Sequence, residues 1–342
     1  MATAPIFIIG TERSGSNLLR LILNAHSHIC VPHPPHIVRY FSPLERCYGD
    51  LNDDARMRRL IHQVLRLVQW HIHPWDVVLD PEAILRTARP RNVFGVYAAC
   101  YDQYLAASGK RRWACKSTFM IDHAPAILAR YPDARLIWLV RDPRDVAVSS
   151  QQSVFNPFHP CLTARLWARQ QRTGLDLEHS TIAGQVFRLH YESLIAAPED
   201  AVRQLCQFLD EPFEAGMLRY FDTEDARSGS RLSESWRNVG LPILSKNAGK
   251  YRKQLSQHDI RLVEAEAGAV MASLGYDLDF PAMPQVNVTA GRLLWYRLLG
   301  LWARLRVELR SLRRDRNHWR RWRRDGYMTW LTLRCRLRGL LQ

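Results

Sequence analysis

Residues 5–25 read PIFIIGTERSGSNLLRLILNA, and this stretch decides the predicted fold. It contains a branched apolar run typical of a buried strand, then a polar glycine loop, then a leucine-rich helical segment, at 6–9, 10–16 and 17–25. Strand, glycine loop and helix in this order form an anion site, because N–H groups of the loop and of the helix N-terminus converge on one point. The stretch therefore predicts an α/β fold with a P-loop-type parallel sheet flanked by helices.

The loop differs from the Walker A motif of nucleoside triphosphatases. Gly10 and Gly15 have the Walker spacing, but Ser16 and Asn17 stand where that motif has lysine and a hydroxyl residue. The cation of this loop is instead Arg13, whose guanidinium can bind two oxygens of one anion. A P-loop kinase or hydrolase stays an alternative function, and an ordinary strand–turn–helix stays the alternative structure.

A second junction between a strand and a helix is predicted at 135–150. The apolar run ends at Arg141, after which Asp142 is placed to cap a helix and Pro143 to open it. Ser149 follows Arg141 by eight residues, which is about two helical turns into that helix. An arginine at a strand end and a serine in the next helix can bind one phosphate from two sides. The sequence therefore predicts a second anion site.

The two junctions, in this order, resemble the 5′-phosphosulfate and 3′-phosphate motifs of sulfotransferases that use 3′-phosphoadenosine 5′-phosphosulfate (PAPS). The similarity is to the bacterial and tyrosylprotein types, and a strand followed by Tyr191-Glu192-Ser193-Leu194 extends it over about 5–279. The resemblance implies in-line transfer of a sulfuryl group from PAPS to a hydroxyl or amine acceptor. It implies that the donor is bound by Arg13, Ser14, Gly15, Ser16, Asn17, Arg141, Ser149, Tyr191 and Lys246.

The same resemblance implies which cations act on the transferred group. Lys116 ends a predicted strand at 112–115, and the family has a lysine there that contacts the sulfuryl group. In an α/β sheet, a lysine at the carboxyl edge of a strand faces the ligand crevice. Lys116 and Arg13 are therefore expected to balance the charge that develops on the leaving phosphate.

The general base is sought in the loop Pro32-His33-Pro34-Pro35-His36, whose prolines exclude both helix and central strand. Histidine has the unperturbed pKa nearest neutrality, so His33 and His36 are candidate bases, and the prolines would hold both in a rigid loop. The resembling enzymes often place a glutamate here, where this chain has His33 and Pro34. The identity of the base therefore stays open between His33, His36 and a carboxylate such as Glu45. The remaining alternative is that both histidines lie in a surface turn and have no role in catalysis.

Composition fits a globular protein with one large domain and an appendage: 342 residues, 47% hydrophobic and 24% charged. Seven cysteines without a C-x-x-C pair predict neither a disulfide framework nor zinc. His71 and His73 have no third ligand at a useful spacing, so we expect no metal and interpret them as a solvent-exposed helix end. A strand near residue 6 and no long apolar run favour a cytoplasmic protein without a signal peptide or membrane span.

The predicted domain organisation has three parts. A sulfotransferase domain covers 1–282, and within it a helical insert at 35–108 is expected to cover the acceptor, with helices at 52–70, 81–88 and 92–107. Prolines and polar residues make 283–291 a linker. No chemistry can be recognised in the insert, so the acceptor is described only as a small molecule, lipid or glycan.

The tail, 292–342, holds 15 arginines, no lysine and three acids, and so carries +12 of the net charge of +15. Leucines recur every three or four residues opposite arginines, which predicts amphipathic helices with a basic face, and tryptophans follow among the arginines. Such helices suit an anionic membrane surface, a second subunit or the chain's own domain, whereas nucleic acid is the less expected partner. A membrane or assembly module with a vestigial nucleotide fold is the third function considered.

Overall fold

The computed structural model describes residues 4–153, 159–232, 234–281, 288–315 and 317–340. Its strands are β1 Ile6–Gly10, β2 Ile29–Cys30, β3 Arg112–Cys115, β4 Arg135–Val140 and β5 Val186–His190. Its helices are α1 Ser16–Asn24, α2 Ile37–Phe41, α3 Asp54–Gln69, α4 Pro81–Thr87, α5 Val93–Ser108, α6 Ala124–Arg130, α7 Pro143–Gln151, α8 Pro160–Glu178, α9 Tyr191–Ala196, α10 Pro198–Leu209, α11 Glu224–Ser230, α12 Tyr251–Gln254, α13 Gln257–Ser273, α14 Ala290–Arg314 and α15 His318–Leu340. Short 3₁₀ helices cover Ser42–Tyr48, Thr118–His123, Ala183–Gln185, Ala215–Asp222 and Glu234–Gly240.

The five strands form one parallel sheet in the order β2-β3-β1-β4-β5. β1 lies at its centre, with Ile6 opposite Ala114 of β3 on one side and Arg135 of β4 on the other. The strands that precede the two predicted anion sites are therefore neighbours, and their carboxyl ends meet at one edge of the sheet. The predicted α/β fold with a parallel, helix-flanked sheet is confirmed.

Helices cover both faces of this sheet, as parallel strands require. Side chains alternate between the faces along each strand. One face buries Phe7, Ile9, Trp138 and Val140 against α3, α5, α8 and α13. The other buries Ile6, Ile8, Ile137 and Leu139 against α1, α9 and α10. Apolar runs without polar alternation in β1 and β4 therefore reflect burial on both sides.

The helices predicted in the insert are present with small shifts of their ends. α3 begins one residue after Asp53, whose carboxylate accepts a hydrogen bond from the backbone N–H of Arg56 at 2.9 Å. After β3 the chain first forms the 3₁₀ helix Thr118–His123 and becomes α-helical at Ala124, with proline in the first turn of α6. The polar stretch that leads to Lys246 contains the end of α11 and the 3₁₀ helix Glu234–Gly240.

The tail forms the two helices α14 and α15, and each packs one side on the rest of the chain. The ring of Tyr296 on α14 stacks on His159 with ring centroids 4.1 Å apart. On α15, Met328 and Leu331 join the core cluster that includes the insert. No helix in the described ranges is both long and apolar enough to cross a bilayer. The predicted domain division stays a prediction, and residues 282–287 around its linker lie outside the described part.

A disulfide joins Cys47 of the insert to Cys335 of α15, across a sequence separation of 288 residues and with Cα atoms 5.6 Å apart. The expectation that the cysteines form no disulfide is wrong for this pair, because pairing depends on folded distance and not on sequence spacing. The other five cysteines are free and buried. Cysteine spacing therefore gives no support to a reducing compartment.

We expect that removing this disulfide loosens α15 from the insert. In Cys335→Ser, trypsin should release the arginine-rich end of the tail at least about tenfold faster, because a cross-link of this kind contributes about 2–4 kcal/mol against opening. Timed digestion followed by mass spectrometry measures the rate. Reductant should accelerate cleavage of the wild type and leave Cys335→Ser unchanged; equal rates for both proteins would contradict the expectation.

Candidate active site

One cavity of about 1110 Å³ lies at the carboxyl edge of the sheet. Its walls come from the loop after β1, the start of α7, the segment around 236–254, the insert and both tail helices. Twelve arginine and lysine side chains line it in the described part of the chain, against three carboxylates. The cavity therefore favours anionic ligands.

Gly15 marks the centre of the loop between β1 and α1. It precedes α1 in a left-handed conformation, with φ of 94°, that glycine adopts without strain. A Cβ placed there would lie 2.3 Å from the ring of Tyr191. Only glycine therefore lets the loop approach Tyr191 this closely. Gly15 and Tyr191 both line the cavity.

Arg13 connects the two predicted anion sites. Its Nε donates a hydrogen bond to Oγ of Ser149 on α7 at 3.1 Å, across 136 residues of sequence. Burial is the main cause that lowers the pKa of Arg13 to about 10, so its guanidinium remains charged at neutral pH. Arg13 of the loop after β1 and Ser149 of α7 therefore line the same part of the cavity.

Arg141 is held at the floor of the same cavity. Its Nη1 donates to the carbonyl oxygen of Arg13 at 3.1 Å, and its Nη2 donates to that of Asn247 at 3.0 Å. The guanidinium lies over the ring of Tyr191, 4.4 Å from its centroid. Its buried Nε has no hydrogen-bond partner among the described residues. A charged, positioned donor with one unused N–H is suited to bind an anion.

Asp145, four residues after Arg141, could in principle neutralise that arginine. Its carboxylate instead accepts hydrogen bonds from the backbone N–H groups of Gly249 at 2.7 Å and Tyr251 at 2.9 Å. Its distance from Arg141 is longer, 3.7 Å. Asp145 therefore fixes the segment that closes the cavity near Asn247 and also pairs with Arg141, whose Nε remains without a partner among the described residues.

Lys116 follows β3 and lines the cavity on the side of the insert. Burial is the main cause that lowers its pKa to about 8, and the nearby charge of Arg20 acts in the same direction. At neutral pH the ammonium is therefore charged but poorly hydrated, which strengthens its interaction with an anion.

The two histidines of the proline-rich loop have different surroundings. His33 is 3% exposed and lies between the rings of His73 and Trp236, with centroids 4.2 and 4.9 Å away. Its Nε2 has no hydrogen-bond partner in the described part of the chain. Nδ1 of His36 lies 3.1 Å from Oγ of Ser117. Burial, reinforced by Lys116, holds the pKa of both imidazoles well below the ordinary value, so both are neutral proton acceptors.

The interpretation of His71 and His73 as a solvent-exposed helix end is wrong. His71 is 4% exposed. Ligand atoms of His33, His73 and Asp225 lie within 4.8 Å of one another, so the fold groups His73 with two residues distant in sequence and not with His71. The Asp225 carboxylate, however, accepts hydrogen bonds from the Arg20 guanidinium at 2.7 and 3.0 Å. That ion pair already satisfies its charge.

Most residues predicted to bind the donor or act in catalysis line this cavity: Arg13, Gly15, Ser16, Asn17, His33, His36, Lys116, Arg141, Ser149 and Tyr191. Ser14 is buried just beneath the lining, and its Oγ has no partner in the described ranges. Lys246 is exposed and outside the lining, where Asn247 and Lys250 lie instead. Glu45 is also outside it, because its carboxylate accepts from the backbone N–H of Val93 at the start of α5.

Sequence reasoning missed Glu12 and Trp236, which both line the cavity. Glu12 precedes Arg13 in the loop, and its carboxylate lies 3.4 Å from Nη1 of Arg39. Its position directly before Arg13 in the glycine loop is the signal that could have identified it. Trp236 carried no local signal, because its stacking on His33 joins segments about 200 residues apart.

Relatives of this chain are found among known sequences. Protein-tyrosine sulfotransferase 1 of Danio rerio is 24% identical over 293 residues, which cover 80% of this chain and 72% of that protein. An uncharacterized protein of Aquifex aeolicus (strain VF5) is 28% identical over 229 residues, 64% of this chain. This chain spans only 27% of the length of that protein.

Two solved structures share the fold. The sulfotransferase domain from the curacin biosynthetic pathway superposes with a TM-score of 0.55 at 20% identity, covering 81% of this chain and 99% of that domain. The sulfotransferase domain from the Synechococcus PCC 7002 olefin synthase gives a TM-score of 0.50 at 23% identity, covering 81% and 97%.

The family model described as "Sulfotransferase family" matches residues 5–215. That range is more than half of the chain, and it includes the five strands and both junctions that line the cavity. The chain therefore belongs to the sulfotransferase family, whose members are transferases.

Proposed function

We propose that this protein transfers a sulfuryl group from PAPS to a hydroxyl or amine acceptor. The observation that carries the proposal is that the glycine loop and Arg141 line one cavity and are joined through Arg13. Two anion sites side by side in one cavity fit a nucleotide that carries phosphate at both its 5′ and 3′ positions. A nucleoside triphosphate has its charge at one end only.

The residues at each end suit the donor chemically. Arg13, Ser14, Gly15, Ser16 and Asn17 would hold the 5′-phosphosulfate, using loop N–H groups and the N-terminus of α1. Arg141 and Ser149 would hold the 3′-phosphate, and Tyr191 would contact the adenosine. The unpartnered Oγ of Ser14 and Nε of Arg141 support this fit, because buried polar atoms without partners are rare. Lys246 stays a prediction for the segment that closes over the nucleotide.

The donor supplies an activated sulfuryl group, and the protein supplies position, charge and a proton acceptor. In an in-line displacement, the acceptor oxygen or nitrogen bonds to sulfur as the bridging bond to the nucleotide phosphate breaks. Lys116 and Arg13 would balance the charge that develops on that bridging oxygen. The acceptor proton would pass to His33 or His36, whose neutral imidazoles are able to accept it.

Calorimetry with adenosine 3′,5′-bisphosphate tests the donor assignment. We expect that nucleotide to bind at least about 100-fold more tightly than ATP with magnesium, because Arg141 and Ser149 would address the 3′-phosphate. Labelled PAPS incubated with cell extract would then identify the acceptor. Tighter binding of magnesium ATP would support a kinase or hydrolase instead, and no binding of either nucleotide would refute both assignments.

The acceptor is proposed to enter between the insert and the tail. His36, Arg39 and Tyr40 of the insert line the same cavity as the donor residues, opposite side chains of α14 and α15. These walls combine apolar surface with an excess of positive charge. They suit a small-molecule, lipid or glycan acceptor that carries both apolar and anionic groups.

We expect His33→Ala and His36→Ala each to lower turnover at least about tenfold, because loss of a general base costs about 10² to 10⁴ in rate unless its neighbour substitutes. Since burial lowers the pKa of both histidines, the fall in wild-type turnover on the acid side should begin well below pH 6.5. Initial rates from pH 4.5 to 8 measure both effects. His62→Ala, at an exposed position on α3, is the control. If both active-site variants keep full rate, the base is another group such as Glu12.

A further inference from the structure

The tail helices each leave an apolar face exposed. On α14, large apolar side chains between 45 and 62% exposed recur every three or four residues: Leu294, Trp295, Leu298, Leu301, Trp302, Leu305, Leu309 and Leu312. At 100° per residue these positions fall on one side of the helix. The opposite side of α14 carries Tyr296 and Ser311, which are buried. This helix therefore packs with one face and presents a leucine and tryptophan face to solvent.

The second tail helix repeats the arrangement. On α15, the exposed apolar residues are Trp319, Trp322, Trp330, Leu333 and Leu337, between 48 and 76% exposed. Met328 and Leu331 are buried, and Cys335 is bonded to the insert, so the body holds the other side of α15. The exposed faces of α14 and α15 together form what we call the tail surface. A surface this apolar is unusual for a monomer and marks a docking site.

Charge indicates what covers the tail surface. Exposed arginines flank it on both helices: Arg297, Arg304, Arg306 and Arg310 on α14, and Arg320, Arg323, Arg334 and Arg336 on α15. Two tail acids are already paired, Glu308 with Arg321 and Asp325 with Arg324. A second copy would place this charge against the same charge, whereas anionic lipid headgroups would neutralise it. Leucine and tryptophan flanked by arginine is the composition of helices that lie in a membrane interface.

We propose that α14 and α15 dock the protein on an anionic lipid membrane through the tail surface. Neither helix spans the bilayer, and both lie along it with leucines and tryptophans in the acyl boundary and arginines at the headgroups. The body is carried above the membrane by the buried faces of the same helices and by the disulfide to the insert.

The cavity opens at this surface. Leu301 of α14 and Leu333 of α15 belong to the exposed apolar faces and also line the cavity. Arg304 and Arg336, two of the exposed flanking arginines, also line the cavity. An amphiphile could therefore pass from the lipid into the cavity without crossing water. This step rests on the proposed sulfuryl transfer: because the cavity and the tail surface share residues, the acceptor would be an amphiphile that enters from the membrane.

Vesicle sedimentation tests the docking with the full chain and no donor. We expect binding to vesicles of phosphatidylcholine with about 30% phosphatidylglycerol, and at least tenfold weaker binding to phosphatidylcholine alone or in high salt. Trp295→Ser/Trp302→Ser, which lies outside the cavity lining, should weaken binding at least about tenfold and leave Tm unchanged. Val78→Ser, at a 95% exposed position in the insert, is the matched control and should bind like the wild type.

Each other outcome overturns the docking proposal. If the wild type does not bind anionic vesicles, or the double tryptophan variant binds as well as the wild type, the tail surface has another role. If sedimentation velocity shows a dimer that the variant loses, without vesicle binding, a second copy covers this surface. Nucleotide calorimetry is independent of lipid, so failure of the PAPS assignment would leave the vesicle result intact, and the reverse also holds.

Discussion

Lys116→Met should lower the turnover of sulfuryl transfer by about 10² to 10³ while changing the affinity for adenosine 3′,5′-bisphosphate only a few-fold. The reason is that, in the proposed mechanism, the Lys116 ammonium would interact with charge that develops mainly in the transition state, on the bridging oxygen of the breaking bond. At about 4 Å and an effective dielectric near 20, such a pair is worth about 4 kcal/mol before desolvation. Burial of Lys116 keeps this interaction from being screened by water. Single-turnover rates and calorimetry separate the two quantities.

The pH dependence gives a second readout of the same residue. Burial lowers the pKa of Lys116 to about 8, so the free enzyme loses this charge as pH rises through that value. The kcat/KM for the donor should therefore fall above about pH 8. Lys116→Arg, which stays charged, should move the fall to higher pH. A variant Lys116→Met with normal turnover, or a flat profile that Lys116→Arg leaves unchanged, would remove Lys116 from the proposed chemistry.

The parts that could be predicted from sequence are those encoded by local patterns. The runs that became β1 and β4 are apolar because they are buried on both faces, and Asp142 with Pro143 signals the start of α7. These signals act within a few residues. Placing Arg141 beside the glycine loop needed one further rule, that carboxyl ends of parallel strands meet at one edge. The fold class and the placement of the two predicted anion sites at one edge of the sheet followed from these two kinds of information.

Features that depend on distant contacts could not be predicted. The Cys47–Cys335 disulfide spans 288 residues, and no spacing rule selects this pair from seven cysteines. His71 is buried and lies within reach of the charge of Arg324 on α15, about 250 residues away in sequence, which no local pattern shows. Lys246 was predicted to bind the donor, but Lys250, four residues later, lines the cavity in its place, and this segment has no periodicity that would fix the register. Tertiary packing decided each of these.

Arg141→Gln should remove most of the preference for a 3′-phosphate. We expect the ratio of the Kd values for adenosine 5′-monophosphate and adenosine 3′,5′-bisphosphate to fall by about 10- to 100-fold, since a charge-assisted hydrogen bond contributes about 1.5–3 kcal/mol. Affinity for the monophosphate should change little, because Arg13 and the loop that Gly15 centres would still hold the 5′ end. Arg39→Gln, which alters another cavity arginine on the insert, should keep the ratio of the wild type.

Measuring both nucleotides separates recognition from support, because Arg141 also donates to the carbonyl oxygens of Arg13 and Asn247. If Arg141 mainly held these segments in place, Arg141→Gln would weaken both nucleotides equally and leave their ratio unchanged. If it reads the 3′-phosphate, only the bisphosphate loses affinity. The ratio of the two Kd values therefore decides whether the second anion site recognises the 3′-phosphate. An unchanged ratio would mean that nothing in the site favours PAPS over an adenylate without a 3′-phosphate.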